Sequence, residues 1–138
     1  MADTTYIKTE VEPYVRRWLA GKYPGHQFKK LSLKLTTGGE HEFDAVSEDR
    51  TIVAGIKSHS WKTRGGNIPS GKINALYAEL YFLSLVKATT KLLVLTDNEV
   101  YDGFRTTSQG KVAAGIDLVP CPLPAHMAEK LASVQANA

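Results

Sequence analysis

Glu42-Phe43-Asp44-Ala45-Val46-Ser47-Glu48-Asp49-Arg50-Thr51-Ile52-Val53-Ala54-Gly55-Ile56-Lys57 reads as two strands joined by a tight turn. Over residues 40–47, Phe43 and Ala45 alternate with Glu42 and Asp44, the period of two that sends successive side chains to opposite faces of a pleated strand. Ile52, Val53 and Ile56 mark the partner strand over residues 51–58. If Glu48-Asp49 is a two-residue turn, Ser47 faces Arg50, Asp44 faces Val53 and Glu42 faces Gly55. Asp44 and Lys57 then share one face of the sheet, and a slip of one residue would separate them.

Working outward, residues 28–36 form another half-buried strand, with Leu31, Leu33 and Leu35 alternating with Lys30, Ser32 and Lys34. Gly38-Gly39 is the hairpin turn that follows it. Before it, Val11, Tyr14, Val15, Trp18 and Leu19 recur at the three-and-four spacing of one helix face over residues 5–22. Pro13 is tolerable there only near a first turn, so the regular helix is expected to start near Glu12. After the hairpin comes a polar loop, residues 58–68, and then a helix over residues 70–87 that is apolar nearly all round, the pattern of a helix buried against more than one neighbour. Leu92–Thr96 is a continuous apolar run, as in an interior strand. Asp97 or Asn98 can cap a short helix over 98–108. Ile116–Val119 is a short strand, and Pro124 opens a C-terminal helix. The order helix, three antiparallel strands, helix, strand predicts an α/β layer arrangement, with residues 1–138 as one domain.

Composition restricts the function classes. The chain has 138 residues, 43% hydrophobic and 22% charged. It has no run near the ~20 apolar residues of a membrane span. Met1-Ala2-Asp3-Thr4-Thr5 lacks a signal-peptide pattern. The single Cys121 has no partner for a disulfide or a thiolate zinc site, so a reducing, cytoplasmic setting is expected. Charge is uneven. Residues 1–75 carry 12 basic and 8 acidic groups, whereas residues 76–138 carry 5 and 6. Lys57, Lys62, Arg64 and Lys72 lie in one stretch without an acid, a pattern that suits an anionic partner such as a nucleic-acid backbone or, equally, a solvated surface loop.

Phe43-Asp44 and Ile56-Lys57-Ser58, set in an αβββαβ order over residues 5–96, resemble the PD-(D/E)xK nuclease superfamily, whose fold is the restriction-endonuclease-like mixed sheet flanked by helices. The resemblance covers about two-thirds of the chain. It implies a phosphodiester hydrolase that uses Mg²⁺ or Mn²⁺, with Asp44 as a metal ligand and Lys57 orienting or activating water. The family's second acid falls at Gly55, and three readings of that glycine stand side by side. Glu79, the only acid of residues 70–87, supplies the missing carboxylate from the following helix, as in some members of the family. Or Glu42 reaches across the space that a glycine leaves. Or the site is dead, and the fold serves as a nucleic-acid-binding or protein-interaction module. Glu10 and Glu12 match the place where the family often sets a further acid, though a charge favoured by the start of a helix explains them as well.

The segment after Lys57 borders whatever site Lys57 faces. His59, Trp61, Lys62, Arg64, Asn67, Ser70 and Lys72 supply cationic donors, an aromatic ring and a helix start, which suit contacts to nucleic acid, DNA first. Trp61 is equally readable as a core anchor and His59 as a structural histidine. Small nucleases of this kind often look like dimers, so a homodimer is a further expectation. A rival motif, Gly66-Asn67-Ile68-Pro69-Ser70-Gly71-Lys72, has the spacing of a Walker A loop, with Leu92–Thr96 and Asp97 mimicking Walker B. Ile73 stands where the Mg²⁺-holding hydroxyl belongs, and no buried strand immediately precedes the loop.

Overall fold

A computed structural model describes residues 4–60 and 70–136. The protein is an α/β fold in which four helices flank a five-stranded mixed sheet. In chain order the elements are α1 (Glu12–Lys22), β1 (Phe28–Lys34), β2 (Glu40–Ser47), β3 (Ile52–Lys57), α2 (Ser70–Leu85), β4 (Thr90–Leu95), α3 (Asn98–Thr107), β5 (Ile116–Pro120) and α4 (Ala125–Ala136). The strands lie side by side in that same order. β1, β2 and β3 are antiparallel, whereas β3, β4 and β5 are parallel. Among the described residues no helix is long and apolar enough to cross a membrane.

Pro13 shapes the entry to α1. Residues Ile7–Val11 wind as a π-helical turn in which the Glu12 N–H donates to the Ile7 carbonyl, and Pro13 falls in the first turn of the α-helix that follows. Proline has no N–H to give, and the wider turn absorbs that missing donor.

The sheet divides the core in two. On one face α2 and α3 cover Phe43, Val46, Val53, Leu93 and Leu95 with Leu76, Leu80, Leu83, Val100 and Phe104. On the other, Val15 and Leu19 of α1 cover Ala45, Ile52, Ala54, Ile56, Leu92 and Val94. Met127 and Leu131 of α4 close over Val11 there. Cys121 sits in this second core as a free thiol, pushed up to about 12 by burial. β3 is buried along Ile52–Ile56 because it is covered on both faces and paired on both edges.

Two expectations change. α2 is not buried all round. Leu76, Glu79, Leu80 and Leu83 face the sheet, while Asn74, Ala75, Ala78, Tyr81 and Ser84 face outward, with Tyr81 59% exposed. The uniform hydropathy hid this side because alanines and a tyrosine occupy it, and a single tyrosine on a surface is unexceptional. The turn between β2 and β3 is longer than two residues. Val46 pairs with Val53 and Ala45 with Ala54, which leaves Glu48, Asp49, Arg50 and Thr51 in the connection. Asp49 organises it. Its Oδ1 accepts from the Ser47 hydroxyl at 2.8 Å, the Thr51 hydroxyl at 2.7 Å and the Thr51 N–H at 3.1 Å. Arg50 takes the left-handed conformation, φ 63°, that closes the loop.

Those bonds, first from the Thr51 hydroxyl, then from its N–H and from the Ser47 hydroxyl, hold the Asp49 carboxyl down to about 2 from an ordinary 3.8. The native state therefore binds fewer protons than the unfolded chain between those values. Their stabilisation is complete above pH 3.8 and lost as pH falls through about 2. Asp49→Asn keeps an acceptor but not the charge. Its urea midpoint is expected to vary less than that of the wild type over this window.

Candidate functional site

The hairpin register decides which side chains meet. Ala45 pairs with Ala54 and Val46 with Val53, two residues off the register that the short turn implied. The offset of two leaves the faces of the paired residues as the sequence reading had them, and Asp44 lies beyond the last pair. The four-residue turn is the cause.

β2 then departs from simple alternation. Lys29 pairs with Val46 and Leu31 with Phe43, so Lys30 alone stands opposite both Asp44 and Ala45. This is a β-bulge, an extra residue that bends its strand and re-aims the side chains beyond it. Phe43 consequently joins Val46 in the core under α2, whereas Ala45 lies in the core under α1. His41, two residues before Phe43, comes to the α2 side as well. Glu42 is exposed and pairs with Ser32 on β1. The bulge is fastened from both directions. The Asp44 carbonyl accepts from Arg16 Nη1 at 2.8 Å, and its side-chain Oδ2 accepts from the Ile56 N–H, also at 2.8 Å.

Gly55 lies directly under Glu79. A Cβ at position 55 would fall 2.6 Å from Glu79 Cγ and 2.8 Å from Cδ, and closer still to Oε1. No real Cβ tolerates such contacts, so the Glu79 carboxylate fills the volume that a side chain at position 55 would take. Glu79 is 5% exposed, and its Oε2 lies 3.1 Å from His41 Nε2. Burial raises the Glu79 pKa above its usual value, the charge of Lys57 opposes that shift, Asp44 adds to it and His41 opposes it. The groups that set its ionisation are thus the Asp44 and Lys57 of the sequence reading together with His41. Reading the sequence missed His41, because only a bulge brings it to this face and alternation carries no mark of one.

Lys57 is half-buried at the end of β3, and among the described residues it makes no ion pair. His59 follows it. Burial, then the charges of Lys72 and Lys57, push the imidazole down to about 4, with Asp97 opposing. It is therefore neutral at pH 7. Lys72, near the start of α2, donates to the Ser60 carbonyl at 3.2 Å and to its hydroxyl at 3.3 Å. Ser70 is the exposed first residue of α2. Trp61, Lys62, Arg64 and Asn67 lie outside the described residues, as does most of the Walker-like segment. Asp97, the acid of the Walker B comparison, accepts from the Val100 N–H at 3.1 Å as the N-cap of α3. Glu10 is exposed. Glu12 is buried, 3.3 Å from Lys30 Nζ and 3.8 Å from Arg16 Nη1, so it belongs to the cationic cluster behind the bulge.

Asp44 and Glu79 are two carboxylates whose charges act on each other here, and they would be the pair to hold a divalent cation. Asp44 Oδ1 and Glu79 Oε1 have no hydrogen-bond partner among the described residues, and two carboxylates are the donor set that magnesium takes when water and phosphate complete its octahedron. No group of three or more His, Cys, Asp or Glu side chains suited to a metal occurs among the described residues. The chain matches no family model, no curated protein and no solved structure.

Two consequences are measurable. A raised Glu79 pKa means that the native state holds this proton to higher pH than the unfolded chain, so stability falls as pH rises from 4.5 through the raised value. Glu79→Gln is expected to have a higher urea midpoint than the wild type at pH 8, with the gain shrinking towards pH 4. Replacing a strand glycine by alanine ordinarily gains roughly 0.5–1 kcal/mol. Gly55→Ala is instead expected to cost about 1–3 kcal/mol by overpacking against Glu79. Urea unfolding should show that cost relieved in a Glu79→Ala background.

Proposed function

We propose that this protein is a metal-dependent phosphodiesterase of the PD-(D/E)xK type, with DNA as its first substrate class. One observation carries the reading: a buried carboxylate from the helix after β3 fills the space above Gly55, the position where the motif's second acid would stand. The element order α1-β1-β2-β3-α2-β4 supports it, since this is the αβββαβ order of the restriction-endonuclease-like core. So do Asp44 and Lys57, whose charges both act on Glu79.

Asp44 and Glu79 would hold Mg²⁺ or Mn²⁺. When bound, the ion supplies polarisation of the phosphoryl oxygen and a lowered pKa for water. The residues of the chain have separate tasks. Asp44 is kept in place by the Ile56 N–H, so one of its oxygens is free to bind while the other is anchored. Glu79 brings a second negative charge into a site largely closed to water, where its interaction with a cation is strong. Its raised pKa would fall against a positive charge. Lys57, unpaired with any acid among the described residues, is available to orient the attacking water and to stabilise charge developing on the phosphate. Neutral His59 and the cation of Lys72 border the same end of β3, where the substrate backbone would run.

The test is cleavage of plasmid, linear and single-stranded DNA with Mg²⁺ or Mn²⁺. Asp44→Ala, Lys57→Ala and Glu79→Gln are each expected to lower the rate by about 10²-fold or more, the scale seen when one transition-state-stabilising group is removed. Equal cleavage by the wild type and all three variants would assign the activity to a contaminant. Salt-sensitive DNA binding without metal-dependent turnover would instead identify a binding module on the same fold.

A further inference from the structure

The two oxygens of Glu79 are in different situations. Oε1 lies over Gly55, where a Cβ would stand, and among the described residues no hydrogen bond to it is found. Oε2 is 3.1 Å from His41 Nε2. The imidazole is itself immobilised. It stacks on Phe82 at 3.9 Å with an interplanar angle of 8°, and it meets the edge of Phe43 at 4.7 Å and 76°. Phe82 is three residues after Glu79, so α2 carries both the carboxylate and the ring that holds its partner.

We propose that His41 is a positioning residue that fastens Glu79 Oε2 and so turns Oε1 into the gap above Gly55, towards a divalent cation. The inference rests on the metal-binding reading above. The physical reason is that a glutamate on a helix can rotate about its side-chain bonds, whereas a ligand must be held in one rotamer before the cation arrives. An anchored second oxygen removes that freedom, and one stacked ring with a second set edge-on against the imidazole fixes the anchor. Replacing an outer partner of this kind typically weakens metal binding by about 10–100-fold.

Calorimetric titration of Mn²⁺ into the full chain tests the assignment. His41→Phe keeps a ring against Phe82 and Phe43 but removes the donor, and its Mn²⁺ affinity should fall by about 10–100-fold. His41→Gln returns an amide N–H near the place of Nε2 and should recover most of that loss. DNA binding measured without metal should be the same for both variants and the wild type, a result that a general loss of structure would not give. If His41→Phe does not fold, His41→Met, which fills the space without a donor, takes its place in the comparison. Wild-type affinity in the donor-less variant overturns the role of His41. A glutamine variant as weak as the donor-less one also overturns it, because the imidazole rather than its hydrogen bond would then be required. If the wild type takes up no Mn²⁺, or binds it no better than Asp44→Asn, the metal reading itself fails and the assignment falls with it.

Discussion

Glycine 55 and glutamate 79 occupy one volume between them. β3 is the central strand, covered on both faces, and a side chain directed from position 55 to the α2 face would fill the gap between sheet and helix. Its absence lets a carboxylate descend from the helix to the strand. A buried carboxylate is costly unless it is partnered. This one has a histidine against one oxygen and lies in the field of a lysine. Such an arrangement is poor economy for stability alone, since a leucine at position 79 would continue the apolar row of Leu76, Leu80 and Leu83. The energetic disadvantage is what makes the residue a candidate for chemistry.

The rest of the site follows from a second constraint, the extra residue in β2. Had the strand run regularly, His41 and Phe43 would lie under α1. The bulge brings them to the α2 side. It is held by Arg16, which reaches the Asp44 carbonyl from α1 beside the buried Glu12, with Lys30 on the neighbouring strand closing the group. An acid near the start of the first helix thus stands beside the cation that holds the bulge.

Much of this was legible from the residues. The α/β class, the three antiparallel strands and the helix after them follow from alternation, turn glycines and three-and-four spacing. Asp44 and Lys57 were readable as candidates from the hairpin, and both charges act on Glu79. Glu79 was readable as the one acid on an apolar helix. The length of the turn was not, because Asp49 builds a four-residue loop from hydrogen bonds to Ser47 and Thr51, and such capping has no periodic signature. The outward side of α2 was obscured by its small apolar residues. His41 was invisible, since its place depends on a bulge whose cause, the mismatch of Lys30 with Asp44 and Ala45, exists only once two strands are paired.

Glu79 belongs to the helical layer, whereas Asp44, Gly55 and Lys57 belong to the sheet. The gap between the two carboxylates is therefore an interlayer spacing, set by how Leu76, Leu80 and Leu83 seat on Phe43, Val53 and Leu93. Interiors are packed as densely as organic crystals, so that spacing is stiff but shifts with the volume of any side chain in the seat. A methyl group gained or lost in the greasy contact far from any charge would shift the separation of the two carboxylates, tying the hydrophobic interior to the geometry of the proposed site.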